Sequence, residues 1–174
     1  MEKPIVSVVM GSDSDLPVMK DAFEVLEEFN VSFEVLVLSA HRSPEETTKF
    51  AKNALNRGVK VIISGAGGAA HLAGVIAAHF PLPVIGIPIK TSTLNGVDSL
   101  YSIVQMPPGI QVATVGINAA KNAGLLAVEI LATENKKLQG KLKEYKKKLA
   151  RSVSEKNKKL IELGVTKYLE QIKK

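Results

Sequence analysis

The sequence contains no cysteine and no tryptophan, and aromatic residues make up only 5% of it. Without cysteine there can be no disulfide and no thiol chemistry, and histidine and carboxylate side chains remain as the plausible metal ligands. Absence of cysteine also fits a reducing compartment, so we expect a cytoplasmic protein. Any catalysis must then rest on acid–base or electrostatic effects.

Long apolar runs are missing as well. The most hydrophobic stretch, residues 59–78, is interrupted by Gly65, Gly67, Gly68 and His71. Such a stretch does not fit a membrane span, and no apolar leader with a cleavage site precedes it. We therefore expect neither export nor contact with a membrane.

The net charge of +6 lies entirely in the last quarter of the chain. Residues 1–133 carry 9 Lys and Arg against 12 Asp and Glu, whereas residues 134–174 carry 14 against 5. Apolar residues recur at helical spacing in this tail, which favours solvated packing helices over an arm that binds nucleic acid. We expect one domain, with an α/β catalytic part over 1–133 and a Lys-rich helical extension over 134–174.

Short β-branched runs alternate with helical segments along the first 133 residues. The predicted strands are Ile5–Met10, Phe33–Leu38, Val59–Ser64, Pro83–Ile87 and Val112–Val115. The predicted helices are Leu16–Phe29, Pro44–Asn56, Ala69–His79 and Asn118–Ala132, with a further short helix within residues 90–111. This alternation predicts an α/β fold with a parallel, doubly wound sheet, in which ligands bind beyond the carboxyl ends of the strands.

The loop after the first strand, residues 11–15, offers backbone N–H groups and hydroxyls at the start of a helix. That combination suits an anionic ligand, and Asp15 could hold sugar hydroxyls. The alternative is that Ser14 or Asp15 simply caps the helix, and both roles can hold together.

The loop after the second strand, residues 39–44, pairs His41 with Arg42. A guanidinium fork suited to phosphate thus stands beside a titratable imidazole. Ser43 is predicted to cap the next helix in a capping box with Glu46. A surface His-Arg pair without function is the alternative.

The loop after the third strand, residues 65–71, contains glycines that let its backbone approach a ligand closely. We expect His71 to lie about one turn into the helix that follows. The glycines of the loop match a dinucleotide-binding pattern, but after the wrong strand and without an acidic residue at the end of the next one. His71 alone could be an ordinary helix histidine, and His79 is better explained as a capping residue. No metal-ligand spacing, P-loop or Gly-x-Ser-x-Gly elbow occurs, so we expect no metal and no cofactor.

Taken together, these loops resemble the bacterial, class I N5-carboxyaminoimidazole ribonucleotide mutase family of de novo purine (IMP) biosynthesis. The resemblance covers about residues 4–133 and rests on segments 11–15, 39–44, 65–72, 96–100 and 102–107. It implies a flavodoxin-like three-layer α/β/α sandwich and a homo-octamer with active sites at subunit junctions.

The resemblance also implies the reaction: a carboxylate moves from the exocyclic nitrogen N5 of an aminoimidazole ribonucleotide to ring carbon C4, with trapped CO2 as intermediate and without ATP, metal or biotin. It implies His41 as general acid/base with His71 alongside, and substrate contacts at Ser12, Asp15 and Arg42. The further substrate-binding residues expected on this basis are Gly11, Ser39, Ser43, Ala66, Gly67, Gly68 and Leu72.

The sequence departs from the family pattern at Ala73, where proline is usual, and at Asn118 and Lys121, where glycine and alanine are usual. The Lys-rich tail is also longer than the common pattern.

Two alternative functions stay open: the related carboxylase, which uses aminoimidazole ribonucleotide and free CO2 directly, and a non-catalytic nucleotide-binding module on the same scaffold.

Overall fold

The computed structural model describes residues 3–172, in which five parallel strands alternate with helices. The strands are β1 Val6–Met10, β2 Phe33–Val37, β3 Val61–Gly67, β4 Val84–Ile89 and β5 Ala113–Thr114. The helices are α1 Leu16–Phe29, α2 Pro44–Ala54, α3 Leu72–Ala77, α4 Val97–Val104, α5 Ala120–Ala132 and α6 Lys136–Ile172. Short 3-10 turns, Asp13–Asp15 and Leu55–Arg57, precede α1 and follow α2.

The sheet has the strand order β2-β1-β3-β4-β5, and every neighbouring pair is parallel. This is the order of flavodoxin-like folds, so the predicted fold class is confirmed. The order reverses beside β1, because the chain leaves β1 for β2 on one side and returns to β3 on the other. Ligands in such sheets bind at this reversal, beyond the carboxyl ends of β1 and β3.

The central strands are buried on both faces, as their near-continuous apolar sequences predict. All five residues of β1 and all six of β4 are buried. The edge strand β2 is only partly covered, with Val35 and Val37 exposed to 40% and 53%.

The third strand and the helix after it differ from the prediction. β3 extends three residues beyond Ser64, because its glycines fit where a side chain would not: a Cβ on Gly65 would collide with the Met19 thioether. Gly68 then takes a φ of +67°, which delays the start of α3 to Leu72. His71 is therefore the residue preceding α3, and its predicted place one turn inside a helix is wrong.

The chain divides into two compact units, with the boundary between Leu131 and Ala132. The second unit consists mainly of α6, whose helical geometry is broken at Gly164 by a φ of +70° and a ψ of 162°. The tail is thus helical with one break, while residues 173–174 of the predicted extension lie outside the described part. Within residues 3–172, no helix is long and apolar enough to cross a membrane.

Candidate active site

A cleft of about 350 Å³ lies beyond the carboxyl ends of β1, β2 and β3, where the strand order reverses. Its lining consists of Gly11, Ser12, Ser14, Asp15, Ser39, Ala40, His41, Arg42, Ala66, Gly67, Ala69, His71 and Leu72. Every predicted site residue except Ser43 and Gly68 belongs to this lining. Ser14, Ala40 and Ala69 line the cleft without having been predicted to bind substrate, although each lies inside one of the three predicted loops.

The first loop is a short anchored turn. The Ser12 hydroxyl oxygen accepts hydrogen bonds from the Ser14 N–H at 3.4 Å and from the Ser14 hydroxyl at 2.9 Å. The Ser12 N–H donates to the Asp15 carboxylate at 3.2 Å, which closes a capping box around the 3-10 turn. Capping in this loop thus involves Ser12 and Asp15, and the same turn directs two serine hydroxyls to the cleft.

Asp15 is only 9% exposed although it carries a carboxylate. Burial raises the pKa of the Asp15 carboxyl, and the Ser12 N–H and the Arg42 guanidinium, which both favour the ionised form, only partly offset this. Asp15 lines the cleft, and its carboxylate oxygens can accept hydrogen bonds from ligand hydroxyl groups.

Arg42 ties the second loop to the first. Its Nη2 donates to the Gly11 carbonyl at 2.9 Å, and its backbone N–H donates to the Ser39 hydroxyl at 3.1 Å. The side chain is exposed and is held at the cleft by the Nη2 bond and by a longer bond from its Nε to the Ser39 hydroxyl, at 3.5 Å. A guanidinium fixed in this way presents its other N–H groups to an anion at little entropic cost.

Ser43 behaves differently from the prediction. It does occupy the position before α2, with Pro44 as the first helical residue, but its hydroxyl makes no capping bond to the helix. The hydroxyl instead accepts from the Ser39 N–H at 3.1 Å and donates to the Ser39 carbonyl at 3.2 Å. The predicted capping box with Glu46 is therefore wrong, and Ser43 serves to hold the second loop in shape.

His41 and His71 come from different loops and meet in the cleft. The Nε2 atom of His41 lies 2.9 Å from the Nδ1 atom of His71, and the two rings cross nearly at right angles, at 83°. A hydrogen bond of this kind needs one N–H and one lone pair, so at least one of the rings is neutral in this arrangement. The pair can hold a proton at a defined place in the cleft, which Arg42 also lines.

A larger hollow of about 690 Å³ lies at the opposite edge of the sheet, where β4 and β5 begin. Among its lining residues only His79 carries a titratable side chain. Within residues 3–172, no three His, Cys, Asp or Glu side chains come together as a metal site requires. Of these two cavities, the smaller cleft is the one lined by several titratable side chains, namely Asp15, His41, Arg42 and His71.

Known proteins resemble this chain over almost its whole length. A family model described as AIR carboxylase matches residues 5–152. An N5-carboxyaminoimidazole ribonucleotide mutase of Thermotoga maritima is 57% identical, over 97% of this chain and 98% of that protein. A phosphoribosylaminoimidazole carboxylase of Candida glabrata is 56% identical over 98% of this chain, which matches only 30% of that longer protein.

A solved structure agrees with these matches. The crystal structure of Treponema denticola PurE superposes with a TM-score of 0.82 at 31% identity, covering 90% of this chain and 98% of that one. Fold and sequence thus point to the same group of proteins.

Proposed function

The chain belongs to the AIR carboxylase family, and on that basis we propose that its cleft converts N5-carboxyaminoimidazole ribonucleotide to 4-carboxy-5-aminoimidazole ribonucleotide. The protein is an enzyme of purine biosynthesis, an isomerase that moves a carboxyl group within one molecule. The observation that carries the proposal is the 2.9 Å contact of His41 and His71 in a chain so similar to the Thermotoga maritima mutase.

The phosphate and ribose of the substrate would bind between the first two loops. The Arg42 guanidinium and the hydroxyls of Ser12 and Ser14 are donors for phosphate oxygens, and they lie at the start of α1, where backbone N–H groups also favour an anion. Asp15 would accept hydrogen bonds from the ribose hydroxyls. The Gly11 carbonyl and the Ser39 hydroxyl hold the Arg42 side chain in place, through its Nη2 and Nε respectively.

The proton transfers would belong to His41. When a protonated His41 donates to N5, the carbamate C–N bond breaks, its electron pair remains on nitrogen, and CO2 is released. Carbon C4 then attacks CO2, and the neutral His41 removes the proton that C4 must lose, which restores the starting imidazolium. One histidine can serve both steps because the same imidazole can donate a proton in the first step and accept one in the second. His71 would fix the ring orientation of His41 through their shared contact.

The third loop would confine the CO2. Ala66 and Leu72 give the cleft an apolar floor, and the Gly67 backbone lies beside it without a side chain. CO2 between the two chemical steps must neither escape nor meet bulk water, and a cleft closed over an apolar floor meets that need.

We also propose that the protein is a cytosolic homo-octamer in which a neighbouring copy covers the cleft. His41 and His71 are exposed to solvent in the single chain, whereas the proposed chemistry requires a site from which water is excluded. Apolar side chains exposed on α4, among them Val97, Tyr101 and Val104, offer surface for contacts between copies.

The test is an assay of carboxyl transfer. Purified protein is given the N5-carboxylated ribonucleotide with EDTA and without ATP, and the C4-carboxylated product is followed. We expect turnover under these conditions. A protein that binds the ribonucleotide but never turns it over would contradict the proposal and favour a non-catalytic binding module.

The carboxylase is the second candidate, because a relative of that name is 56% identical. It is tested in the same assay by offering the uncarboxylated ribonucleotide with a high concentration of bicarbonate. The mutase proposal requires the N5-carboxylated substrate to react faster in the forward direction. A faster reaction with bicarbonate would assign the chain to the carboxylases.

A further inference from the structure

The segment that begins with α4 is not part of the cleft lining, yet it contacts the third loop directly. Ser99, in the first turn of α4, is fully buried. Its hydroxyl donates to the carbonyl of Ile89, the last residue of β4, at 2.7 Å and accepts from the Gly68 N–H at 2.9 Å. One side chain thus joins the end of β4 to the third loop.

Ser102, one turn later in α4, reaches the other side of the same residue. Its hydroxyl lies 3.2 Å from the Gly68 carbonyl oxygen and 2.8 Å from that of Asp98, so its single proton is shared between these two acceptors. The Gly68 carbonyl also accepts from the Ala70 N–H at 2.8 Å. The N–H of Gly68 thus depends on Ser99, whereas its carbonyl has two partners.

These bonds fix how the third loop presents its backbone. A trans peptide holds its N–H and C=O on opposite sides. In the Gly67–Gly68 peptide, the bond from the Gly68 N–H to Ser99 makes the Gly67 carbonyl point the opposite way. In the next peptide, the bonds to the Gly68 carbonyl orient the Ala69 N–H in the same manner. Gly67 and Ala69 both line the cleft, and His71 follows two residues later.

The backbone conformation of this loop is also restricted at its two glycines. Gly68 has a φ of +67°, which other residues rarely adopt, and a Cβ on Gly67 would lie 3.3 Å from the Thr91 methyl group. Thr91 is itself held by its hydroxyl to the Asp98 carboxylate at 3.0 Å. The start of α4 and the end of β4 therefore act together as a support for the loop that carries His71.

We propose that Ser99 is a positioning residue of the reaction, which orients the Gly67–Gly68 peptide and thereby sets the place of His71 against His41. The inference deepens the proposed function and rests on it. Substrate phosphate and ribose contact the other two loops, so losing Ser99 should disturb the proton transfers more than the binding of the ribonucleotide.

The test compares Ser99→Ala with Ser7→Ala, each measured well below its melting temperature. Ser7 is an equally buried serine whose hydroxyl donates to Glu34 at 2.6 Å near the start of β1, at the far end of the sheet. For Ser99→Ala we expect kcat per bound site to fall at least tenfold while the ribonucleotide Kd changes less than about threefold. The Ser7→Ala variant should keep kcat per site within about twofold. Counting bound sites removes the effect of any unfolded fraction.

Hydrogen exchange gives a second measurement that needs no turnover. We expect exchange in residues 66–71 to accelerate in Ser99→Ala and to stay unchanged in Ser7→Ala. Equal kcat per site and equal exchange in the two variants would overturn the positioning role. If the unaltered chain shows no turnover, the proposed function is contradicted instead. The comparison of hydrogen exchange between the two variants then still decides whether Ser99 holds the loop.

Discussion

At the scale of single residues, Asp15 is a site residue whose burial in ionised form lowers the stability of the fold. Asp15 is a carboxylate with 9% exposure, and burial raises its pKa. The folded state therefore binds this proton more tightly than the unfolded chain does. As the pH rises from the ordinary carboxyl value of about 3.9 through the raised one, ionisation of Asp15 lowers the stability of the fold.

Replacement of Asp15 by asparagine should separate stability from function. The amide keeps an acceptor for the Ser12 N–H but has no charge to bury. At pH 7 we expect Asp15→Asn to melt higher by up to about 2–4 °C, the shift that 1 kcal/mol produces in a chain of this size. The gain should disappear near pH 4, and ribonucleotide binding should weaken. Thermal melts from pH 4 to 8 measure this, with exposed Asp21→Asn as control, and a lower melting temperature at pH 7 would contradict it.

Asn118 has a backbone conformation that usually favours glycine. Its φ is +55°, in the left-handed region where glycine is favoured and asparagine is the next best residue. The side chain adds a bond that glycine lacks, since its Oδ1 accepts from the Lys90 N–H at 2.8 Å just after β4. Ala73, where the family resemblance leads us to expect proline, is the second residue of α3, a position at which the N–H has no partner within the helix.

The stability of Asn118 variants should therefore depend more on the backbone conformation at this position than on the hydrogen bond of the side chain. We expect Asn118→Ala to lose about 1–2 kcal/mol of unfolding free energy, because alanine is strained at this φ. Asn118→Gly should lose less, since it gives up only the bond to Lys90. Urea denaturation of the three proteins measures the order, and an alanine variant as stable as the unaltered chain would refute this explanation.

At the scale of secondary-structure elements, the edge strand β2 is held by one polar cluster. Arg57, in the turn after α2, donates from Nη1 and Nη2 to both Glu34 carboxylate oxygens, at 2.8 and 2.7 Å, while the Ser7 hydroxyl donates from β1. Partial burial raises the pKa of Glu34, but the bonds from Arg57 and Ser7 outweigh it and leave the pKa below its usual value. Arg57 also stacks over the Phe50 ring of α2.

A lowered carboxyl pKa means that this cluster stabilises the fold above the ordinary titration range and loses its effect as the pH falls through the lowered value. We expect Glu34→Gln to lose about 1 kcal/mol at pH 7, as a partly exposed two-bond ion pair would, and progressively less as the pH falls through the lowered pKa of Glu34. Glu24→Gln is the matched control, because it breaks an exposed pair with Lys20. A loss that does not depend on pH would show that charge is not the cause.

The elements also show what the sequence could and could not predict. The continuous apolar run of β1 located that strand to within one residue at each end, because burial on both faces demands such a run. The bounds of β2 were located equally closely, although this edge strand is only partly buried. The end of β3 was missed because glycine is normally a sign of strand termination, and here tight packing of Met19 and Thr91 requires it. Local pattern does not encode the distance between His41 and His71, which depends on sheet order, nor the bond from Ser99 to a residue 31 positions away.

At the scale of the whole molecule, the exposed apolar side chains of α4 bear on the proposed octamer. Val97, Tyr101 and Val104 recur at helical spacing, and Tyr101 is 61% exposed. Exposed apolar patches of this kind commonly mark surfaces between chains.

We expect the unaltered protein to have the mass of eight chains by light scattering, and Tyr101→Glu to shift it towards smaller species with lower activity. A charge buried at an interface is costly when unpaired, which is the reason for the shift. Asn56→Glu makes the same charge change in an exposed turn and should leave the mass unaltered. An unaltered chain that is monomeric and fully active would contradict the proposed assembly.

The proposed mechanism depends most on His41, which donates a proton to N5 and removes one from C4. The direct measurement is product formation by His41→Asn from the N5-carboxylated ribonucleotide, together with the ribonucleotide Kd. We predict a loss of about 10²–10⁴-fold in kcat, the usual contribution of a general acid/base, with binding retained. A His41→Asn enzyme that turns over at a rate close to that of the unaltered protein would contradict the mechanism.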